Sequence, residues 1–242
     1  ENFQALNLFK DKFQGKIKCI YIDPPYNTGN NEFIYKDNYQ HSSWLSMMEQ
    51  RLAMSRDFLS NDGVIFVSID DNEESNLRSL LNVTFGSENF VSTIVWQKKY
   101  SRDNRPVMGT VHDYIRVFAK NINEFAAVRR KVPPDKESLE VYRNPNNDPR
   151  GRWRPIPMTA QAGHATPSQF YEVKTPSGVI HKPSPGRCWG LSESTYKDLL
   201  SQGRIWFGAN GDGQPNIIRY LSEIEGFVPW TWWPHQETGH TD

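Results

Sequence analysis

The sequence predicts an α/β domain with a largely parallel, buried sheet, joined near residue 121 to a second domain of irregular, β-rich structure. Two observations carry that reading. Short, nearly continuous apolar runs alternate with segments whose apolar residues recur every three or four positions. That is the pattern of strands covered on both faces and of the helices that cover them. After Asn121 the texture changes to Pro, Gly, Arg and Trp, as in "RNPNNDPRGRWRPIPM" and "KTPSGVIHKPSPGRCWG", which predicts short strands and long loops. With 242 residues the chain can bury a sizeable core in one large or two modest domains.

Phe3, Leu6, Phe9 and Phe13, at helical spacing, predict a short amphipathic helix over Asn2–Phe13. Ile17–Ile22 reads as a buried strand and Asp23–Asn31 as the loop that follows it. Trp44, Leu45, Met48, Leu52, Met54 and Leu59 predict a long helix over Ser42–Leu59. Ser42 or Ser43 is its candidate N-cap and Asn61-Asp62-Gly63 its stop. Val64–Ile69 is a second apolar strand, ended by Asp70-Asp71-Asn72, whose carboxylates are expected to cap the next helix. That helix runs from Glu73 to Phe85 and stops at Gly86. Val91–Gln97 and Tyr114–Ala119 are further strands. In the second domain a helix is predicted over Ser192–Leu200 with Ser192 as N-cap, and Trp230, Trp232 and Trp233 are assigned to that domain's core. No repeat is visible.

Aromatic residues make up 13% of the chain, which excludes a disordered protein. No apolar run approaches the roughly 20 residues that span a bilayer, so no membrane role is expected. The chain opens at Glu1 with neither an initiator Met nor a basic-then-apolar leader, and reads as a piece of a longer protein. Cys19 and Cys188 offer neither a disulfide framework nor a thiolate cluster, which predicts a reducing, cytoplasmic setting. His235, Glu237 and His240 lie close in sequence, yet with no cysteine beside them they are not read as a metal site. Net charge is zero but uneven. Lys98–Arg154 holds 14 Lys and Arg against 7 Asp and Glu, leaving 14 against 21 elsewhere. Such a basic stretch is either a solvated face or a surface for phosphates.

The stretch "IKCIYIDPPYNTGNNEF" concentrates the functional signal. Ligands of doubly wound sheets bind at the carboxyl ends of strands, and Asp23 stands at such an end. Proline fixes φ, lacks an N–H and restricts the residue before it. Asp23-Pro24-Pro25 is therefore a stiff backbone rich in acceptors and poor in donors, suited to a ligand that brings an amino group. Tyr26 adds a flat face for a planar ring. Chance would supply this tetrapeptide on the order of 10⁻³ times in such a chain. A mere rigid turn is the weaker explanation.

Asp23-Pro24-Pro25-Tyr26-Asn27-Thr28-Gly29 resembles the catalytic motif of β-class DNA adenine-N6 methyltransferases. The run "SSWLSMMEQRLAMSRDFLSNDGVIFVSIDDNEESNLRSLLNVTFGSENFV", then "IVWQKK" and "HDYIRVFAK", is similar to the modification (Mod) subunits of type III restriction–modification systems. The resemblance is good over residues 1–121 and looser over 122–242, where that family places target recognition. It implies a partial Rossmann-like, S-adenosylmethionine-dependent methyltransferase sheet. It also implies a double-stranded DNA substrate, a restriction (Res) subunit and a second Mod copy as partners, and a prokaryotic, nucleoid-associated location. The target adenine would be flipped out of the duplex. Its amino group would donate to Asp23 and to the Pro24 carbonyl, Pro25 would stiffen the turn, and Tyr26 would stack on the base. Asn27, Thr28 and Gly29 would line the base site, while Asp23 and Pro24 would form part of the cofactor wall.

One departure stands out. The family's Phe-x-Gly-x-Gly cofactor loop has no counterpart, since "FGANGDG" (Phe207–Gly213) has the wrong spacing. The chain is therefore expected to carry the catalytic and recognition parts without a complete cofactor site. Lys98, Lys99, Arg102 and Arg105, in a loop between two strands, and Arg150, Arg152 and Arg154 around Trp153 are the candidate phosphate contacts. The alternatives are a non-catalytic DNA-binding specificity fragment, or an amino-methyltransferase acting on cytosine N4 or on RNA. Cytosine-N4 enzymes usually carry Ser at the position of Asp23.

Overall fold

The computed structural model describes residues 2–29, 40–101, 105–134 and 136–239, which form two compact units. The first unit comprises residues up to Arg130 together with those from Pro229 onward. The second runs from Lys131 to Val228.

The first unit begins with helix α1 (Asn2–Phe13) and strand β1 (Ile17–Ile22). Helix α2 (His41–Phe58), strand β2 (Leu59–Ile69) and helix α3 (Glu74–Phe85) follow. Strands β3 (Phe90–Gln97) and β4 (His112–Ala119) and helix α4 (Ile122–Val128) complete the run. The sheet order is β1-β2-β4-β3, with Trp232–Trp233 added outside β3. β2 lies parallel to β1, while β4 is antiparallel to both β2 and β3. Four of the five strands therefore share one direction, and the expected largely parallel sheet has β4 as its exception. β3 and β4 are sequential neighbours in the sheet, and an antiparallel pairing needs no crossover connection between them.

β2 explains the continuous apolar run. Ile65, Val67 and Ile69 pack under α2 and α3 with Trp44, Met48, Leu52, Leu77, Leu81 and Phe85. Val64, from the opposite face, packs with Ile94, Ile115 and Val117, and with Phe125 of α4. A strand covered on both sides has no polar face to show.

Four expectations need correcting. β1 is an edge strand rather than a buried one: it pairs with β2 alone, and Cys19 and Tyr21 are exposed. α2 is preceded by Gln40, which makes no side-chain cap, so neither Ser42 nor Ser43 has that role. Asn61-Asp62-Gly63 does not stop the helix, because α2 passes directly into β2 at Leu59. These residues form a bulge instead: Ile17 pairs with Leu59 but Cys19 already pairs with Val64. A Cβ on Gly63 would meet the carbonyl oxygens of Ile17 and Ser60 at 2.9 Å, so only glycine fits. Finally, Asp70 accepts from the Asn72 amide at 3.0 Å as a local turn, and the α3 cap position is Glu73, so Asp70 does not cap the helix.

Trp230, Trp232 and Trp233 belong to the first unit, not to the core of the second. Trp232 and Trp233 pair with Val95 and Trp96 because β3 offers an unpaired edge. Trp230 is 79% exposed.

The second unit holds short strands, as its texture predicts. Ile205–Trp206, Asn216–Tyr220 and Trp153–Pro157 form an antiparallel sheet. The helix Glu193–Ser201 is capped by Ser192, whose hydroxyl accepts from the Thr195 amide at 3.3 Å. One core gathers Met158, Val173, Trp189, Tyr196, Ile205 and Phe207. The glycine run after Phe207 is a tight turn in which the Gly213 amide donates to the Phe207 carbonyl at 2.6 Å.

Asp148 is buried in this unit and accepts from the Arg150 guanidinium at 2.9 and 2.8 Å and from the Tyr220 hydroxyl at 2.8 Å. Arg150 above all holds its carboxyl well below the usual carboxylate range. A depressed folded-state pKa means that the stabilisation is complete above the unfolded value of about 4 and is lost as pH falls below it. Asp148→Asn is therefore expected to lower the melting temperature at pH 7, with the gap to wild type narrowing steadily as pH falls from about 5 through the depressed folded value. Thermal denaturation across that range checks it, and a pH-independent gap would remove the carboxylate from this role.

Candidate active site

Parallel neighbours end side by side. Ile22 lies opposite Val67, so the residues leaving β1 lie beside those leaving β2. Asp23 is exposed at this end, Pro24 is buried, Pro25 and Tyr26 are half-buried, and Thr28 and Gly29 are exposed. Two buried groups hold the turn. The Trp44 indole, itself fully buried in α2, donates to the Pro25 carbonyl at 2.8 Å. Asn27 sits at φ 60°, in the left-handed region that asparagine tolerates better than most residues. Its side-chain amide donates to Glu73 at 2.6 Å.

Tyr26 packs against the core beneath α2 and α3, with its hydroxyl close to Asp23, Asp113 and Ser68. Ser68 is also bonded to Tyr21. Burial first, then the negative charges of Asp23 and Asp113, push the Tyr26 hydroxyl far above its usual range. It therefore stays protonated at neutral pH beside the Asp23 carboxylate.

The predicted cations divide. Lys98 forms an ion pair with the buried Asp113 at 2.5 Å, and its ammonium lies 5.9 Å from the Tyr26 ring centre. Burial raises the Asp113 carboxyl while Lys98 pulls it back. Lys98 therefore balances a charge beside the site. Lys99 and Arg105 are exposed. Arg102 lies outside the described residues. In the second unit Arg150 binds Asp148 and the carbonyls of Gln202 and Gly203. Arg152 donates to the carbonyls of Tyr142 and Leu139, and Arg154 lies over the Tyr142 ring. These arginines tie loops together, because a loop-rich unit must find partners for its backbone carbonyls.

From Asp23 an open groove of about 550 Å³ follows the outer edge of β1, lined by Leu6, Phe9, Ile20, Ile22 and Phe58. His235, one of the three residues that lie close in sequence near the end of the chain, is bonded to Gln97 at 3.1 Å and stacks on Tyr100. His240 lies outside the described residues. Among the described residues no group of three or more His, Cys, Asp or Glu is placed to hold a metal. No helix among them is long and apolar enough to cross a membrane.

A family model described as DNA methylase (N6_N4_Mtase) matches residues 17–198, well over half of the chain and the whole of this site. The chain belongs to the DNA methylase family. Among relatives, the chain is 30% identical over 267 residues to the type III restriction–modification enzyme StyLTI Mod subunit of Salmonella typhimurium. That match covers 96% of this chain and 39% of the relative. It is 34% identical over 172 residues to the EcoP15I Mod subunit of Escherichia coli, covering 58% of this chain and 26% of the relative. The chain thus spans well under half the length of these relatives. The solved M1.HpyAVI–SAM complex aligns with a TM-score of 0.35 at 14% identity, over 68% of this chain and 67% of that one. That likeness is too loose to bear on the site.

Proposed function

We propose that the chain is the catalytic and target-recognition part of a DNA adenine-N6 methyltransferase in a type III restriction–modification system. The observation that carries this is Asp23, placed at the carboxyl end of β1 by a proline pair whose second carbonyl is held by a buried indole. Trp44 occupies the Pro25 carbonyl, so Pro24 supplies the backbone acceptor beside Asp23. A flipped adenine would donate its two amino hydrogens to these groups, which turns the nitrogen lone pair away from them. As the nitrogen becomes cationic, the Asp23 carboxylate stabilises it, with the protonated Tyr26 hydroxyl close by. The charged nitrogen then loses its proton readily. S-adenosylmethionine, the cofactor of this family, supplies an electrophilic methyl group when bound. Lys99 and Arg105, with Arg102, are assigned to phosphates, and residues 131–228 to reading the DNA sequence. A Res subunit and a second Mod copy are the proposed protein partners.

The groove along β1 fits the cofactor in part. It brings apolar surface up to Asp23, but the sequence holds no Phe-x-Gly-x-Gly loop to let the backbone approach a methionine and ribose. Residues 1–242 alone are therefore expected to bind S-adenosylmethionine weakly and to transfer no methyl group. A protein carrying this chain with a cofactor-binding half should produce N6-methyladenine in duplex DNA. Calorimetric titration and nucleoside analysis of the product decide these two points. Micromolar binding by residues 1–242 would place the cofactor site within them, and N4-methylcytosine as product would refute the adenine reading.

A further inference from the structure

Glu73 is the most completely buried carboxylate of the first unit, with 0% exposure, and the chemistry above does not use it. Its environment is specific. Oε1 accepts from the Asn27 amide at 2.6 Å and bonds His41 Nδ1 at 2.7 Å, and Oε2 accepts from the Asn76 amide at 2.7 Å. Asn76 lies on the same helix, three residues on, and serves to orient the carboxylate. The other two partners are remote in sequence. Asn27 is the first residue after Asp-Pro-Pro-Tyr, and His41 opens α2, the helix that also carries Trp44. One buried carboxylate therefore ties the exit of the catalytic turn to the start of the helix that anchors its proline.

We infer that Glu73 is a positioning residue for methyl transfer: through Asn27 and His41 it fixes the turn on which Asp23 and Tyr26 stand. The inference rests on the proposed methyltransferase reading. Three features carry it. A buried carboxylate needs all its acceptor sites filled by donors, and here donors converge on both oxygens. Asn27 is in a left-handed conformation that surrounding contacts must maintain. The second buried anchor, Trp44, is one turn along α2 from His41, so the two anchors share a rigid support. Asp23 is itself exposed, and its aim depends on what holds the backbone behind it.

Glu73→Gln is the informative variant. It keeps the volume but replaces one acceptor oxygen with an N–H₂ group, which faces a donor whichever way it turns. Asn27→Gly is its complement, since glycine keeps the positive φ and removes the amide that reaches Glu73. In a methylating protein that carries this chain, each should lower kcat by about 10²-fold with duplex affinity within about twofold. The double variant should be no worse than the more severe single one. A merely structural Glu73 would instead give losses that multiply. If Glu73→Gln fails to fold, Asn27→Gly decides alone. Hydrogen exchange of the Tyr26–Gly29 amides gives a readout independent of activity, expected to quicken at least tenfold in both variants. Methylation by the wild type, with kcat unchanged or exchange unchanged in the variants, overturns the inference. A wild type that exchanges as expected but never methylates DNA would overturn the proposed function and leave Glu73 as an anchor of the turn.

Discussion

Asp23→Ala is expected to reduce methyl transfer by at least about 10³-fold while leaving duplex affinity within about threefold. The size follows from what the carboxylate does. It both orients the amino nitrogen and stabilises the charge that grows there, and neither contribution can be replaced by water in a closed site. Affinity is set elsewhere, by cations along the phosphate backbone. The fold should survive, because Asp23 is exposed. Tritiated-methyl transfer and a gel-shift assay on the same preparation test both halves. Transfer near the wild-type rate would sink the role given to Asp23.

Exchanging residues 131–228 for the corresponding segment of a relative is expected to move methylation entirely to the donor's recognition sequence. The cut points are favourable. Val132 and Phe227 exchange both backbone hydrogen bonds at 2.9 Å, so the second unit closes on itself where the chain enters and leaves it. The first unit keeps its own sheet, including Trp232–Trp233, on either side of the exchange. Methylation mapping of the chimera is the measurement. An active chimera that still modifies the original sequence would show that specificity lies in the first unit.

How much of this was legible in the residues depended on the range of the interaction. α2, α3 and β2 were readable because their pattern is local: apolar spacing for the helices and an unbroken apolar run for a strand covered on both faces. β1 misled, since Cys19-Ile20-Tyr21-Ile22 has the same apolar look although one side of the strand is an edge. Gly63 read as a helix stop because glycine serves both that role and a close backbone approach, and only the register of β1 against β2 tells them apart. Asp23 to Gly29 announced themselves through proline chemistry. Glu73 did not, being one of four acidic residues in the polar run Asp70–Asn76 after a strand. Its meaning comes from pairing over 46 positions with Asn27, which the parallel register creates and no short window contains. The arginines of residues 150–154 show the converse. Their composition looks like a nucleic-acid surface, but the backbone carbonyls they satisfy lie in loops that the sequence alone does not bring together.

The direct passage from α2 into β2 has a consequence for how this sequence can vary in length. Leu59 is at once the helix C-cap, with its amide on the Ser55 carbonyl, and the first residue of the strand, and it is fully buried. Inserting one residue before it would turn Trp44 and His41 by about 100° relative to the sheet. Absorbing the insertion in the strand instead would exchange its two faces. Either outcome pulls the indole from Pro25 and the imidazole from Glu73 together. The Phe58–Leu59 seam is thus a reading frame in three dimensions: substitutions there can be judged by volume, but a change of length shifts every contact on which the Asp-Pro-Pro-Tyr turn depends.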